Sequence, residues 1–416
     1  MKQFFLLAAT AAFILTSCAK IDNVQTVTEK GTPVAFGVYV PKMTKAGRTG
    51  MTTTTTIQDT EANGGGFGVF AYYTNDADYT SGSYYANFMY NQKVLYDTDH
   101  WTYEPVKYWP NEFGSSAAST GTDKLTFLAY APYVSSTSGT EGIIGMVANT
   151  SAAGKQDAYV TYKLSDDPTK VVDLVWAVDA SSGLPHLDLT KQATDGKVSF
   201  VFKHALARLN VNVRGIFDKK RDAEGDISTA DVDSHTKITI ESVKITGTLI
   251  PQADLNLKNT TANVALWQNP STAASKDLII NNSDIAASLK ATSGGESSFP
   301  GSSVTGVTKT NVNIYTGAAP SSTDSKYFTL IPQSGDQTLT VEIVYYVTTE
   351  DNNLAGGISC IKNDITKSVT ITGGFVNQKI YNINMALGMT TVKLEASVAD
   401  WDTTPVDKDV DLPQNL

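Results

Sequence analysis

Val34-Ala35-Phe36-Gly37-Val38-Tyr39-Val40 places a bulky apolar residue at every second position. Side chains alternate across a strand with period two, so Val34, Phe36, Val38 and Val40 share one face. A half-buried strand is predicted here, closed by Pro41, which has no N–H to give to a ladder. The same period returns near the other end of the chain, where Val392, Leu394, Ala396 and Val398 share a face. Between these two stretches lie apolar runs of strand length at 67–73, 125–131, 171–178, 238–249, 327–331, 338–348, 369–372 and 380–387. Residues 88–96 and 101–109 read as a hairpin around 97–100. The long β-leaning run 198–213 has a bend predicted at Lys203-His204-Ala205. Loops rich in Ser, Gly and Thr separate the runs, and 260–314 is polar enough to be predicted as a long, partly ordered excursion. No heptad and no sustained 3.6-residue stripe is present, so helices are predicted to be short and few. Many short strands joined by turn-rich loops give an all-β fold class, with two β-sandwich domains in tandem.

A length of 416 residues suits two domains behind a processed N-terminus. The segments predicted are 1–17, 18–48, an N-terminal domain 49–195 and a C-terminal domain 196–416. The net charge of −10 shows no positive stripe able to track phosphates, so nucleic acid is not an expected partner. Two cysteines, Cys18 and Cys360, do not make a disulfide framework when the first lies in a leader. Cys360 reads as a small core residue or a free thiol.

The leader is specific. After Lys2, residues 4–15 form an almost unbroken apolar run, shorter than the ~20 residues that cross a bilayer. It reads as the apolar region of a secretory signal. It ends in Leu15-Thr16-Ser17-Cys18, which resembles a bacterial lipobox. A lipoprotein signal peptidase would then cut before Cys18, whose thiol carries the lipid. No later stretch is long and apolar enough to be a transmembrane helix.

Chemistry is sparse. His100, His186, His204 and His235 are far apart, none at metal-ligand spacing. His204 reads as an inward or interdomain histidine satisfied by a hydrogen bond. His186 with Asp188 imitates a base and its orienter, but no GxSxG elbow accompanies them. No Walker loop or GxGxxG occurs. Asp222, Glu224, Asp226, Asp231 and Asp233 could offer oxygens to Ca²⁺, but their spacing is not that of an EF-hand and a solvated loop is expected. No metal, cofactor or catalytic residue is therefore expected. Trp101, Tyr103, Tyr108 and Trp109 suggest a second reading, a glycan-binding surface lipoprotein. Trp101, Tyr103 and Trp109 fall on one face and Tyr108 on the other. Burial of these rings between sheets favours a core, and an open face favours a sugar platform. A secreted hydrolase is a third reading, weakened by the missing nucleophile motif.

Phe88-Met89-Tyr90-Asn91-Gln92-Lys93-Val94, then Trp101, then Tyr108-Trp109-Pro110, resembles the first domain of Bacteroidales fimbrillin-like proteins, the type V pilins. Phe202-Lys203-His204-Ala205-Leu206-Ala207-Arg208-Leu209 is similar to the opening of their second domain, and Phe328-Thr329-Leu330-Ile331-Pro332-Gln333 and Trp401 fit as well. The resemblance implies two transthyretin-like β-sandwich domains and export through the periplasm as an outer-membrane lipoprotein. It implies removal of the N-terminal strand by an arginine-specific protease, then strand exchange with other pilin subunits into a surface fimbrium. Ala19-Lys20-Ile21-Asp22-Asn23 departs from the acidic run that often follows the lipidated cysteine.

Arg48 is the only arginine before Arg208 and sits in Lys45-Ala46-Gly47-Arg48-Thr49-Gly50, a small-residue stretch of the kind proteases cut. Cleavage between Arg48 and Thr49 would release 18–48, with the lipid and the first strand. The groove left by Val34, Phe36, Val38 and Val40 would then be a template for another chain's strand. The predicted donor is 405–413, bracketed by Pro405 and Pro413. There Val406, Val410 and Leu412 share a face opposite Asp407, Asp409 and Asp411. A longer piece including 392–398 is the alternative donor.

Overall fold

The computed structural model describes residues 32–40, 54–60, 65–110, 123–135, 140–148, 157–194, 196–216, 220–221, 227–228, 234–292, 295–321, 324 and 326–401. Cys18, Arg48, Thr49, Val406, Val410, Leu412 and the acidic residues of 222–233 lie outside them.

Ten strands lie in the first half: β1 (Ala35–Tyr39), β2 (Phe67–Asn75), β3 (Met89–Asp97), β4 (His100–Thr102), β5 (Lys124–Ala131), β6 (Gly142–Val147), β7 (Tyr159–Lys163), β8 (Val175–Val178), β9 (His186–Leu189) and β10 (Lys197–His204). The second half begins with β11 (Ala207–Gly215) and the small hairpin of β12 (Lys220–Arg221) and β13 (Ile227–Ser228). It continues with β14 (Thr236–Leu249), β15 (Gln252–Asn256), β16 (Leu266–Gln268), β17 (Ala274–Ile280) and β18 (Val312–Asn313). The last strands are β19 (Phe328–Leu330), β20 (Gln337–Glu350), β21 (Ile358–Ile371), β22 (Lys379–Leu387) and β23 (Val392–Asp400). The described helices are single turns, such as Thr54–Ile57 and Lys191–Thr194.

The first sheet runs β1-β10-β8-β5-β2-β3-β4, with β9 also on β5. Its central strands are buried on both faces, hence their near-continuous apolar sequences. In β5, Leu125, Phe127, Ala129 and Ala131 point into one core, and Leu128 and Tyr130 into another. The first of these cores is closed by Val34, Phe36 and Val40 from β1. The second continues into the other half of the molecule. There β17-β14-β20-β21 faces β18-β11-β22-β23, with β19 also on β11. Ile238, Ile240, Val243 and Ile245 of β14 and Leu339, Val341 and Ile343 of β20 meet Leu209, Val211 and Val213 of β11 and Ile383 and Met385 of β22 in one buried cluster. The molecule is thus an all-β assembly of tandem β-sandwiches.

Two features differ from the sequence expectations. The run 198–213 breaks at Ala205-Leu206, and β10, although it follows Gly196, completes the first sheet. The stretch 260–314 is sparse in apolar residues but uses them: Leu278, Ile280, Ile285, Leu289, Val307 and Ile314 are all buried, and β16, β17 and β18 lie within it.

A fourth sheet, β16-β15-β7-β6, joins the halves. β7 from the first pairs antiparallel with β15 from the second, from Gln252 opposite Lys163 to Asn256 opposite Tyr159. Its interior is continuous with the core beneath β5, which makes the seam part of the fold's stability.

Candidate strand-exchange site

β1 lies at the edge of the first sheet and pairs in parallel with β10, from Ala35 opposite Lys197 to Tyr39 opposite Val201. Val34, Phe36 and Val40 are buried, Val38 is half-buried against the same cluster, and Tyr39 points outward at 53% exposure. Phe36 is the centre of the contact. Its ring stacks on Phe200 (5.6 Å between centroids, 17° between planes) and meets Phe67 at 5.9 Å, Phe127 at 6.0 Å and Tyr103 at 5.4 Å.

The other edge of β1 is clasped at its start. The Val34 N–H donates to the Lys107 carbonyl at 2.9 Å, and the Trp109 N–H to the Thr32 carbonyl at 3.0 Å. The Tyr103 hydroxyl donates to the Val34 carbonyl at 2.9 Å, and burial pushes this phenol up to about 12, so it stays a donor across physiological pH. The Gly196 carbonyl accepts twice, from the Ala35 N–H at 3.0 Å and from Trp109 Nε1 at 3.0 Å. Gly196 has φ of +75°, and a Cβ there would lie 2.9 Å from Thr32, so this double acceptor needs glycine. Beyond Val34, β1 has no second ladder partner among the described residues.

The aromatic group is divided by the fold. Trp109 is buried, and Trp101 and Tyr103 are half-buried against the core that β1 completes, with Trp101 edge-on to Phe67 at 5.0 Å. Only Tyr108 is exposed, so these four rings form no sugar platform. His186 is also buried, edge-on to Phe200 at 5.2 Å, and burial holds it below the usual histidine range. Asp188 instead accepts the Tyr79 N–H at 2.7 Å, so the two do not act as a pair.

His204 ends β10 three residues beyond Val201, about 10 Å along the strand. Its Nδ1 lies 2.8 Å from Asp173 Oδ2, both side chains fully buried, and its ring stacks on Trp401 at 4.3 Å and 2°. Trp401, the last described residue, is thereby fixed against the end of β10. Sequence reading singled out His204 and Trp401 separately, and only the fold stacks them. Cys360 is a free, exposed thiol on β21, which is the edge of its sheet. Among the described residues no cluster of His, Cys, Asp or Glu could hold a metal ion.

The backbone edge of a strand at the margin of a sheet is one on which another chain's strand can pair. The model of the fimbrillin-like family matches residues 52–401, and the chain belongs to that family. It is 29% identical over 213 residues to the fimbrium subunit Fim1C of Phocaeicola vulgatus, a match covering 50% of this chain and 51% of that one. The aligned part is therefore about half the length of this curated relative. A crystal structure of a fimbrial protein from Bacteroides vulgatus superposes with a TM-score of 0.59 at 21% identity, covering 89% of this chain and 99% of the other. That likeness concerns the fold.

Proposed function

We propose that this chain is a structural subunit of a surface pilus that polymerises by strand exchange. The observation that carries the reading is β1. Its side chains complete a core, while among the described residues its backbone is laddered to β10 along one edge and clasped on the other at its start. Loss of this strand would uncover Phe200, Phe67 and Phe127 beside the open ladder edge of β10, and burying that surface again drives the joining of subunits. In this reading a lipoprotein signal peptidase prepares Cys18 for lipidation, and the precursor is held at the outer membrane. An arginine-specific protease then cuts between Arg48 and Thr49, releasing the anchor together with Val34, Phe36, Val38 and Val40. The segment 405–413 of another subunit, through Val406, Val410 and Leu412, fills the groove. The role is structural and needs no catalytic residue, cofactor or metal. By sheet membership we place the domain boundary at Ala205-Leu206, about ten residues beyond the 195/196 boundary expected from the sequence.

The test pairs cysteines. Asp409→Cys, on the outward face of the donor, is combined in turn with Lys197→Cys, Ser199→Cys and Val201→Cys on the outward face of β10. Intersubunit disulfides are expected in fibres, whose subunits begin at Thr49, and Arg48→Ala should block assembly. Subunits that retain Val34–Val40 in fibres, or assembly that survives deletion of 406–416 with no disulfide formed, would overturn this assignment.

A further inference from the structure

A second site lies at the seam. The stretch after β2 brings Tyr79 and Tyr84 against Asp157, just ahead of β7, against Asn256 and Gln268 from β15 and β16, and against Lys258 just after β15. They line a cleft of about 460 Å³, within the roughly 300–1,000 Å³ typical of small-molecule sites. Asp157 organises it. Its Oδ1 accepts from the Tyr79 hydroxyl at 2.8 Å and from Lys258 Nζ at 3.2 Å, and its Oδ2 accepts from Asn256 Nδ2 at 3.3 Å. Lys258 Nζ also lies 5.0 Å from the Tyr79 ring centroid. Tyr84 stacks on Tyr79 at 5.8 Å and 28°, and itself remains half-exposed.

We propose that this cleft binds a neutral pyranose sugar. Three properties select that class. First, Asp157 and Lys258 cancel, so the site offers no net charge to an anion or a cation. Second, donors remain to be used: Gln268 Nε2 and the Tyr84 hydroxyl have no hydrogen bond among the described residues, and Lys258 has three N–H donors but one carboxylate contact. Adjacent donors and acceptors held rigidly suit vicinal hydroxyls, each of which both gives and accepts. Third, Tyr84, half-exposed and backed by the buried Tyr79, offers its ring to the C–H face of a sugar, an amphipathic contact with little entropy to lose. Gly82 borders this ring closely: a Cβ there would stand 3.1–3.2 Å from the Tyr84 ring and hydroxyl, so a larger side chain would crowd it. Its backbone is extended, with φ of −150°, so the position does not require glycine for conformation.

The test uses the purified full chain and four probes, the methyl glycosides of mannose, galactose, fucose and N-acetylglucosamine, read by saturation-transfer NMR and calorimetry. At least one should bind, about tenfold more weakly in Tyr84→Ala and in Gly82→Leu and unchanged in Tyr108→Ala. The two variants perturb the cleft in opposite ways, one by removing the ring and one by covering it, and unaltered melting temperatures exclude misfolding. Binding of none of the four, or binding indifferent to both variants, would overturn the proposal. Fibre assembly by Tyr84→Ala should be normal, so failure here is separable from failure of strand exchange.

Discussion

β1 and β23 are both edge strands with period-two apolar faces, yet the fold depends on them differently. β1 is short, with five residues in its ladder, but Val34, Phe36 and Val40 are buried and Phe36 touches four rings. β23 has nine residues paired to β22, but its apolar face fades along its length: Val392 is buried, Leu394 and Ala396 are half-buried and Val398 is 53% exposed. Its firm anchor is the tryptophan after it. Hydrophobic stabilisation follows apolar area removed from water, and not ladder length. The shorter strand is therefore the one whose removal leaves the larger defect. β1 thus combines deeply buried side chains with a short ladder to β10 and a clasp at its start.

The largest expected effect is at the centre of the β1 core. Phe36→Ala should destabilise the chain by about 3–5 kcal/mol, the usual cost of deleting a buried aromatic ring, read as a fall in the urea midpoint at constant slope. A loss as small as that of an exposed residue would break the contrast with β23.

The clasp at the start of β1 should be worth less. Tyr103→Phe removes the hydroxyl that holds the Val34 carbonyl and should cost about 1 kcal/mol. Hydrogen exchange should show the β1 amides opening more readily while those of β22 and β23 are unaffected, which localises the effect.

The β1 core should also respond to acid. Burial lowers the His186 pKa from its ordinary value, near 6.5, which the unfolded chain retains. Between the two values the unfolded state binds more protons, so stability falls as pH drops through that window and levels off below the folded value. Urea midpoints between about pH 7.5 and 5.5 should decline, and His186→Gln should lessen the decline. An equal decline in that variant would place the acid sensitivity elsewhere.

The smallest effect belongs to the far end of β23. Val398→Ala should change stability by no more than about 0.5 kcal/mol. A cost comparable to that of Phe36→Ala would mean that the exposed end of β23 is covered in solution.

Much of this was legible locally. The faces of β1 and β23, the hairpin of β3 and β4 around 97–100, the scarcity of helix and the inward His204 all follow from the order of side chains. The candidate site was legible only in part. Val34, Phe36, Val38 and Val40 declare a shared face, because alternation is a property of one strand. Nothing local says that Phe200 lies under Phe36, or that Gly196 is the carbonyl onto which both Ala35 and Trp109 fasten. The four aromatics from Trp101 to Trp109 were equally ambiguous, since a tyrosine or tryptophan suits a core as well as a sugar platform. Cys360 likewise left two readings open, and it is a free thiol on an exposed edge.

By itself, then, the sequence determined the apolar faces of β1 and β23, the position of many of the longer strands, and that Arg48 is the first arginine of the chain. Tertiary structure decided who pairs with whom. It set β1 in parallel on β10, some 160 positions away, kept β10 in the first sheet, joined β7 to β15 across the halves, and gathered Tyr79, Asp157 and Lys258 into one cleft. The physical reason is that a strand's periodicity fixes the direction of its side chains, whereas its neighbour is chosen by the summed burial of many distant apolar faces, a quantity no local window contains.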